Sequence, residues 1–449
     1  MLQRYVIIGG DAAGMSAASK IRRLQPESEL VVFEKGPHIS FAACGMPYWI
    51  SGVIADGSKL QVLTPEIALE KRNIDVRIGH EVTKIDVSSK SIVVQNLSTG
   101  ETLVEAYDVL LIATGARAVV PPIPGVDSEG VFTLRSLADG HRIKKYISEH
   151  KISHATIIGG GHIGLEMAEA FRHLKIDVTM LVRGDQIAPA MDKDLLGKLT
   201  EHVIEQGVDL QLGTSVRAIE KLNKGLQVQT SAGTIQTDMV LVSTGVKPNS
   251  ELAIEAGIEV GKSGAILINE HMQTSVESVY AGGDCVEHNH RVLEESLWIP
   301  MATSANKGGR IAGENMAGAL TRFPGILGTA VAKVFDYTVA QTGLTEKQAR
   351  QIETLGDIET TTITGGSRAH YYPGSMPLTV KLVVEKHSRR LLGAQMIGKA
   401  DVAKRLDVLA TAITAKMTVE DIGMLDLTYA PPVAPVYDPI IVAANVANK

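Results

Sequence analysis

The sequence predicts an α/β protein with two Rossmann-like domains followed by an α+β domain. Three observations predict this fold class: a strand–glycine turn–helix pattern at the amino terminus, a second copy near residue 155, and mixed strand and helix patterning from about Gly325 onward. The 449 residues, of which 45% are hydrophobic, suffice for roughly two to four domains with buried cores. The net charge of −6 gives no general attraction for nucleic acid, so no nucleic-acid partner is predicted.

The first copy places an apolar strand before a glycine turn and a helix of small residues. A helix amino terminus with bare glycine backbone receives a pyrophosphate, and an acid about 20 residues further on binds ribose hydroxyls. Glu34 ends the next strand at that spacing. Asp11 replaces the middle glycine, where an acid either repels phosphate or points away and braces the turn. The binding residues predicted here are Gly9, Gly10, Ala13, Gly14, Glu34 and Lys35.

The second copy has an unbroken glycine turn, Gly159 to Gly164, but a different end to its second strand. That strand runs into Arg183 instead of an acid. An arginine at this place is positioned to bind a 2′-phosphate, which favours NADPH or tolerance of both NADPH and NADH. The binding residues predicted in this copy are Gly159, Gly161, Gly164, Glu166 and Arg183.

An apolar strand that ends in Thr-Gly follows each copy. A glycine at the strand end lets the backbone turn close to a bound dinucleotide. Thr114, Gly115 and Gly245 therefore join the predicted binding residues. Two complete units in one chain indicate two dinucleotides, which is the arrangement of a flavin enzyme reduced by a nicotinamide.

One cysteine, Cys44, lies in the segment from Ser40 to Tyr48, soon after the first unit. This segment, the doubled glycine motifs, the motif from Tyr280 to Asp284 and the carboxy-terminal third resemble the pyridine nucleotide–disulfide oxidoreductases over essentially the whole chain. The resemblance implies bound FAD, NADPH or NADH as reductant, and roles for Gly283 and Asp284 in cofactor binding. It also implies three domains: an FAD domain of residues 1–117 and 246–324, an NAD(P)H domain of residues 118–245, and a dimerisation domain of residues 325–449.

The cysteine content selects a branch of this family. Members that resemble glutathione reductase carry a second cysteine five residues after the first, but here that residue is Trp49. A single redox cysteine forms either a mixed disulfide with a small thiol or a sulfenic acid. The first chemistry resembles coenzyme A-disulfide and polysulfide reductases, and the second resembles NADH oxidases and peroxidases. The latter carry a histidine at the place of Ala12, so the mixed-disulfide branch is favoured; a non-catalytic flavin redox sensor is a further alternative.

The catalytic thiol should be ionised, because a turn that feeds a helix amino terminus lowers the pKa of a cysteine. Cys285 is interpreted as structural, and no metal site is predicted. By resemblance, cations of the first helix and of the segment after the cysteine bind the phosphates of coenzyme A. Ala43 departs from the asparagine of better-known members. The predicted substrate-binding residues are Ser16, Lys20, Arg23, Ser40, Ala43 and Arg72.

The resemblance also implies a homodimer in which Tyr371 and Tyr429 of the second subunit approach Cys44, with Tyr372 as an alternative contact. A phenol there stabilises the thiolate or protonates the departing thiolate. His162 stands where many relatives have a tyrosine that covers the flavin. No apolar run approaches the roughly 20 residues of a membrane span, and two cysteines exclude a disulfide scaffold. We therefore expect a cytoplasmic enzyme whose partner is a small-molecule disulfide or polysulfide.

Overall fold

The computed structural model describes residues 2–448. In chain order its strands are β1 (Arg4–Ile8), β2 (Glu29–Glu34), β3 (Asp75–Ile78), β4 (His80–Asp86), β5 (Ser91–Asn96), β6 (Thr102–Ala106), β7 (Val109–Ile112), β8 (Ala116–Ala118), β9 (Val131–Phe132), β10 (His154–Ile158), β11 (Asp177–Val182), β12 (Val208–Leu212), β13 (Val216–Lys221), β14 (Leu226–Thr230), β15 (Thr234–Thr237), β16 (Met239–Val242), β17 (Val246–Pro248), β18 (Val279–Ala281), β19 (His288–Asn289), β20 (Ser296–Leu297), β21 (Ala330–Val334), β22 (Tyr337–Gly343), β23 (Ile358–Gly366), β24 (Pro377–Glu385) and β25 (Leu391–Gly398). Its α-helices are α1 (Ala12–Leu24), α2 (Met46–Ile50), α3 (Pro65–Arg72), α4 (Leu137–Glu149), α5 (His162–His173), α6 (Gly197–Glu205), α7 (Glu251–Glu255), α8 (Ala302–Met316), α9 (Glu346–Arg350), α10 (Val402–Thr414), α11 (Val419–Gly423) and α12 (Pro439–Ala447).

The chain divides into two compact units. Unit 1 contains residues 2–119, 135–145 and 245–326, and unit 2 contains residues 120–134, 146–244 and 327–448. Residues 135–145, which the sequence boundaries assigned to the NAD(P)H domain, thus pack with the first unit, because α4 lies partly against the cysteine segment. The division into three domains stays a prediction, whereas the α/β class is confirmed by the sheets.

Unit 1 is built on a parallel sheet of order β18-β7-β1-β2-β3. Its central strand, β1, is buried on both faces, as parallel strands covered by crossover connections are. Helices α1 and α8 pack closely on one side through small residues. A Cβ added to Gly309 would lie 2.2 Å from the carbonyl oxygen of Ala13, and one added to Gly313 would lie 2.6 Å from that of Ala17. Glycine at both places therefore fixes α8 against the glycine-turn helix.

Unit 2 contains a second parallel sheet of order β12-β11-β10-β16-β9 and an antiparallel sheet of order β21-β22-β25-β24-β23. The fully buried strand β25 forms the centre of the antiparallel sheet, with α10 and α12 packed against it and its neighbours. Strand β24 carries Lys381, whose side chain is 2% exposed and whose Nζ lies 2.8 Å from both Asp194 Oδ1 and Glu346 Oε2. A buried ammonium is tolerated there because carboxylates surround it. Among residues 2–448, no helix is both long and apolar enough to cross a membrane.

Candidate dinucleotide and redox sites

The first glycine turn is packed so closely that side chains are excluded from it. Gly9 has φ +107°, and a Cβ on it would lie 2.1 Å from the carbonyl oxygen of Ala113. A Cβ on Gly14 would lie 1.9 Å from the carbonyl oxygen of Gly9. At Gly9 only glycine meets both the positive φ and the close approach, and at Gly14 the close approach alone excludes a side chain. The turn therefore presents bare backbone at the start of α1, which is a cradle suited to a pyrophosphate.

The acid at the end of β2 is held beside this turn. Gly10 N donates to Glu34 Oε2 at 2.8 Å, and Gly36 N donates to Glu34 Oε1 at 2.7 Å. The carboxylate therefore has a fixed place next to the glycine backbone, as a ribose-binding acid requires. Lys35 is exposed and lies 3.8 Å from Glu81 Oε1, so it faces solvent at the edge of this site.

Asp11 braces the turn. Phe41 N donates to Asp11 Oδ1 at 3.3 Å, and the neighbouring Ser40 N donates to the carbonyl oxygen of Gly10 at 3.0 Å. These bonds join the glycine turn to the segment that carries Cys44. Burial raises the pKa of the Asp11 carboxyl to about 6, while the amide of Phe41 and the charge of Arg135 oppose the rise. Of the two alternatives for Asp11, the contacts fit the brace.

Replacing Asp11 by asparagine should change the pH dependence of stability. Asparagine keeps an acceptor for Phe41 N but does not titrate. Because the pKa of Asp11 rises from 3.8 to about 6 on folding, its contribution to stability is complete below about pH 4 and is lost as the pH rises through 6. The variant does not undergo this loss, which amounts to up to about 3 kcal/mol in the free energy of unfolding. We expect the two Tm values to agree near about pH 4 and the variant to melt a few degrees higher near about pH 8; a Tm difference that is constant with pH would contradict this.

The predicted cofactor-binding residues that follow β7 and β18 of the same sheet lie among hydrogen bonds to residues that the sequence did not indicate. Arg135 donates from Nη2 to Asp284 Oδ2 at 2.5 Å and from Nε to the carbonyl oxygen of Ala116 at 3.0 Å. The indole of Trp298 donates to the carbonyl oxygen of Asp284 at 2.8 Å. Thr114 Oγ1 donates to the carbonyl oxygen of Asn249 at 2.5 Å. Positive φ values, typical of bare turns, occur at Gly115, Gly245 and Gly283.

The two thiols lie in opposite environments. Cys44 is exposed, within a 3₁₀ turn (Ala43–Gly45) that runs directly into α2. Cys285 is fully buried, its Sγ lies 3.4 Å from the carbonyl oxygen of Gly282, and burial raises its pKa. No disulfide joins the two. Access is one requirement of cysteine reactivity, and of the two thiols Cys44 meets it whereas Cys285 does not.

Trp49 fills the place where a second redox cysteine would lie. Its side chain is buried, its ring centroid lies 4.7 Å from that of His141, and a Cβ on Gly140 would lie 3.0 Å from its Cζ3. Lys144 Nζ donates to the Trp49 carbonyl oxygen at 3.1 Å and lies 5.5 Å from its ring centroid. The indole therefore anchors α2, and the turn with Cys44, to residues 135–145.

The structure brings the two predicted basic segments together. Arg72, at the end of α3, donates from Nη1 to Ser19 Oγ on α1 at 2.8 Å. The adjacent Lys20 pairs with Glu314 Oε1 at 3.0 Å, an acid that the sequence did not indicate and that Arg310 shares. The remaining candidates are Ser16, which donates to Asn306 Oδ1 at 3.1 Å, the exposed Arg23, and the half-buried Ser40 and Ala43.

In unit 2 the second glycine turn repeats the geometry of the first. Gly159 has φ +119°, and its Cβ would lie 2.3 Å from the carbonyl oxygen of Ser243. A Cβ added to Gly164 would lie 2.3 Å from the carbonyl oxygen of Gly159, whereas one added to Gly161 would meet no atom within 4 Å. Arg183 is exposed and forms no ion pair with any other residue of the described chain. The guanidinium is therefore available to an anion.

Helix α5 carries two titratable groups near the glycine turn. Burial, with a smaller effect of Glu169, raises the pKa of Glu166 to about 7. Burial lowers the pKa of His162, which favours the neutral imidazole. Glu169 is itself bound, by Lys333 and by Phe335 N at 2.8 Å. A carboxyl that titrates near neutral pH is typical of functional sites.

The two predicted tyrosines meet each other. Tyr371 Oη lies 3.1 Å from Tyr429 Oη, and their side chains are 63% and 46% exposed. This hydrogen bond raises the pKa of Tyr371. Tyr372 is outside the pair. Four large apolar side chains close to Tyr429 in sequence are exposed, namely Met424, Val433, Val436 and Tyr437.

No cluster of three or more histidine, cysteine or acidic side chains within residues 2–448 has the arrangement of a metal site.

The sequence pattern of the pyridine nucleotide–disulphide oxidoreductases matches residues 3–309, and that of the dimerisation domain of the same family matches residues 329–439. The chain belongs to this family. The family resemblance predicted from the motifs is thus confirmed, and the enzyme class with it.

Several proteins match this chain over nearly its full length. The NAD(P)H coenzyme A polysulfide/persulfide reductase of Pyrococcus horikoshii is 42% identical over 99% of this chain and 98% of its own. An NADH oxidase of Methanocaldococcus jannaschii is 36% identical over 99% of both chains, and a coenzyme A disulfide reductase of Staphylococcus epidermidis is 32% identical over 96% of both. The crystal structure of the reduced Bacillus anthracis protein CoADR-RHD matches with a TM-score of 0.96 and 42% identity, over 100% of this chain and 80% of that one.

Proposed function

We propose that this oxidoreductase is an FAD-dependent NAD(P)H:disulfide reductase that acts on coenzyme A disulfide, or on a coenzyme A persulfide or polysulfide, through Cys44 alone. The proposal rests on a single exposed cysteine, Cys44, and on Trp49, which occupies the position where a second redox cysteine would lie. The only other thiol, Cys285, is buried. The oxidising partner of Cys44 therefore comes from solution, and the names of the Pyrococcus and Staphylococcus relatives support a coenzyme A thiol in that role.

The residues of unit 1 fit FAD. Gly9 and Gly14 let the turn pack closely and present bare backbone at the start of α1, where a pyrophosphate would bind, and Glu34 is fixed where the ribose hydroxyls would lie. Bound FAD would supply two-electron transfer between NAD(P)H and sulfur. The residues proposed to hold it are Gly9, Gly10, Ala13, Gly14, Glu34, Lys35, Thr114, Gly115, Gly283 and Asp284. Those proposed for NAD(P)H are Gly159, Gly161, Gly164, Glu166, Arg183 and Gly245.

The step at Cys44 is thiol–disulfide exchange. The Cys44 thiolate attacks one sulfur of the substrate disulfide, so that a Cys44–S–S–R bond forms, the R–S–S–R bond breaks and one thiolate leaves. Two electrons, ultimately from NAD(P)H, then cleave the mixed disulfide, release the second thiol and restore the Cys44 thiolate. One NAD(P)H and one proton are consumed for every two thiols formed.

Substrate binding would use the cations of α1 and α3. Lys20, Arg23 and Arg72 are proposed to bind the phosphates of coenzyme A, with Ser16, Ser40 and Ala43 beside the pantetheine arm. Because Glu314 already pairs with Lys20, bound phosphate would compete with that carboxylate. The basic group is therefore partly neutralised before the substrate arrives.

Two copies of the chain are proposed to assemble, with the phenols of Tyr371 and Tyr429 acting at Cys44 of the second subunit. The matched dimerisation domain and the exposed apolar side chains at Met424, Val433, Val436 and Tyr437, of the kind that subunits cover, support the assembly. A phenol there would protonate the departing thiolate. The cytoplasmic location and the three domain boundaries remain predictions from the sequence.

Substrate comparison tests the proposal. Purified flavoprotein is supplied with NADPH or NADH and with coenzyme A disulfide, inorganic polysulfide or oxygen alone, and thiol, sulfide and peroxide are measured. Two thiols per NAD(P)H with coenzyme A disulfide are expected. The Methanocaldococcus relative favours NADH oxidation as the second candidate; turnover with oxygen alone at the rate seen with every sulfur substrate would replace the proposal by that activity. If no substrate were turned over, the alternative of a non-catalytic flavin redox sensor would replace the proposal.

Arg183 should set the preference between nicotinamides. Its exposed guanidinium has no carboxylate partner in the described chain, so it offers a full charge to a 2′-phosphate. We expect Arg183→Ala to raise KM for NADPH about tenfold and to change KM for NADH little. Lys224→Ala removes another exposed cation of unit 2 and should affect neither constant. Equal changes with NADPH and NADH would exclude a 2′-phosphate contact.

A further inference from the structure

The phenols of Tyr371 and Tyr429 lie on two separate loops. The first, residues 367–376, connects β23 to β24 and is closed at its base, where Ser367 N donates to the Met376 carbonyl oxygen at 2.8 Å. The second, residues 424–438, leads into α12. Because both phenols are substantially exposed, packing around the rings gives little hold on them. Their hydrogen bond therefore depends on how the two loops are fixed.

One buried guanidinium contacts both loops. Arg405, on α10, donates from Nη2 to the carbonyl oxygen of Ser367 at 2.9 Å and from Nε to Asp438 Oδ2 at 2.8 Å. It also donates from Nη1 to the carbonyl oxygen of Asp401 at 3.2 Å. Arg405 is 8% exposed, Asp438 is 6% exposed and Ser367 is fully buried. Arg405 thus binds the base of the first loop and the last residue of the second.

The carboxylate partner is fixed as well. Asp438 Oδ1 accepts from Ile440 N at 3.0 Å, which caps α12, while Oδ2 accepts from Arg405. Buried ion pairs of this kind hold their groups tightly, because a misplaced charge would remain desolvated without a partner. The planar fork of arginine reaches two acceptors in fixed directions, which the point charge of lysine does not.

We propose that Arg405 is a positioning residue for the Tyr371–Tyr429 pair, because its buried contacts with Ser367 and Asp438 hold the two tyrosine-bearing loops in register. The inference rests on the proposed function only for the catalytic use of the phenols. The positioning itself is a property of a single chain. It follows that loss of the Arg405 fork separates the phenols without altering either dinucleotide site.

The test uses the purified holoenzyme with Arg405→Met and the milder Arg405→Lys, which keeps the charge. Arg389→Met is the control. Like Arg405, Arg389 bonds both carboxylate and backbone carbonyl groups: it bonds Glu359, Glu420 and a carbonyl of α12 at the end of that helix far from the loops. Three quantities are measured: the separation of the two phenol oxygens in crystals, the rate of FAD reduction by NAD(P)H, and disulfide turnover.

In both Arg405 variants we expect the phenol oxygens to move out of hydrogen-bond range, FAD reduction to stay within twofold of the wild type, and disulfide turnover to fall about 10- to 100-fold. Adding Tyr371→Phe to Arg405→Lys should cause no further loss, while Arg389→Met should match the wild type. Phenols that stay hydrogen-bonded in Arg405→Lys, or losses that multiply in the double variant, would overturn the inference. Separated phenols with unchanged turnover would uphold the positioning and refute the catalytic use of the phenols.

Discussion

Replacement of Cys44 by serine is expected to lower disulfide turnover by about three orders of magnitude or more, because a hydroxyl at this place cannot form the mixed disulfide. Reduction of bound FAD by NAD(P)H should persist, since neither glycine turn involves this residue. The measurement is anaerobic stopped-flow reduction of FAD beside steady-state turnover with coenzyme A disulfide. Such a split between the two half-reactions would assign Cys44 to the sulfur chemistry alone.

Cys285→Ser is the matched control for this prediction. The Cys285 thiol is buried, and its Sγ lies within contact range of the carbonyl oxygens of Gly282 and Ile112. A serine hydroxyl fits those acceptors, so turnover should remain within about twofold of the wild type. Equal loss of turnover in the two variants would mean that the second thiol takes part, and the single-cysteine account would be wrong.

The second large effect concerns the two glycine turns, which should fail independently. In Gly14→Ala the new methyl group would lie 1.9 Å from the Gly9 carbonyl oxygen, and in Gly164→Ala it would lie 2.3 Å from that of Gly159. Contacts this short force the backbone of each turn to move. We expect Gly14→Ala to be purified with little or no FAD. Gly164→Ala should keep its FAD but lose NAD(P)H-driven reduction by about 100-fold or more.

FAD content is read from the visible absorbance of the purified protein, and the nicotinamide reaction from stopped-flow reduction. Chemical reduction of FAD by dithionite should remain normal in Gly164→Ala, which separates loss of nicotinamide binding from loss of the flavin. Gly197→Ala is the control, because a Cβ there meets no atom within 4 Å. If Gly14→Ala retained FAD and Gly164→Ala lost it, the assignment of cofactors to the two units would be reversed.

The backbone features of the site were predictable from sequence because they depend on local pattern. Gly14 and Gly164 are required by close approaches within one strand–turn–helix unit, and Gly9 and Gly159 by close approaches to the neighbouring parallel strand. All four belong to one spaced glycine motif, so their spacing reveals them. The place of Glu34 follows from the same pattern.

Side-chain partners between distant segments were not predictable. Arg135, which bonds Asp284, and Glu314, which pairs with Lys20, contact residues far away in sequence and carry no motif of their own. The direction of Asp11 depended on the amide of Phe41, which only the folded segment brings near. Arg405 is an ordinary helix residue in the sequence, and its importance arises only from the two loops that converge on it.

The mixed disulfide proposed between Cys44 and coenzyme A can be observed by mass spectrometry of the unreduced protein. The holoenzyme is incubated with coenzyme A disulfide in the absence of NAD(P)H, digested without reductant and mapped. We expect one coenzyme A moiety per chain, attached through a disulfide to the peptide that contains Cys44, and its release as thiol when NAD(P)H is added. A bond between Cys44 and Cys285, or an unmodified Cys44 peptide alongside active turnover, would contradict it.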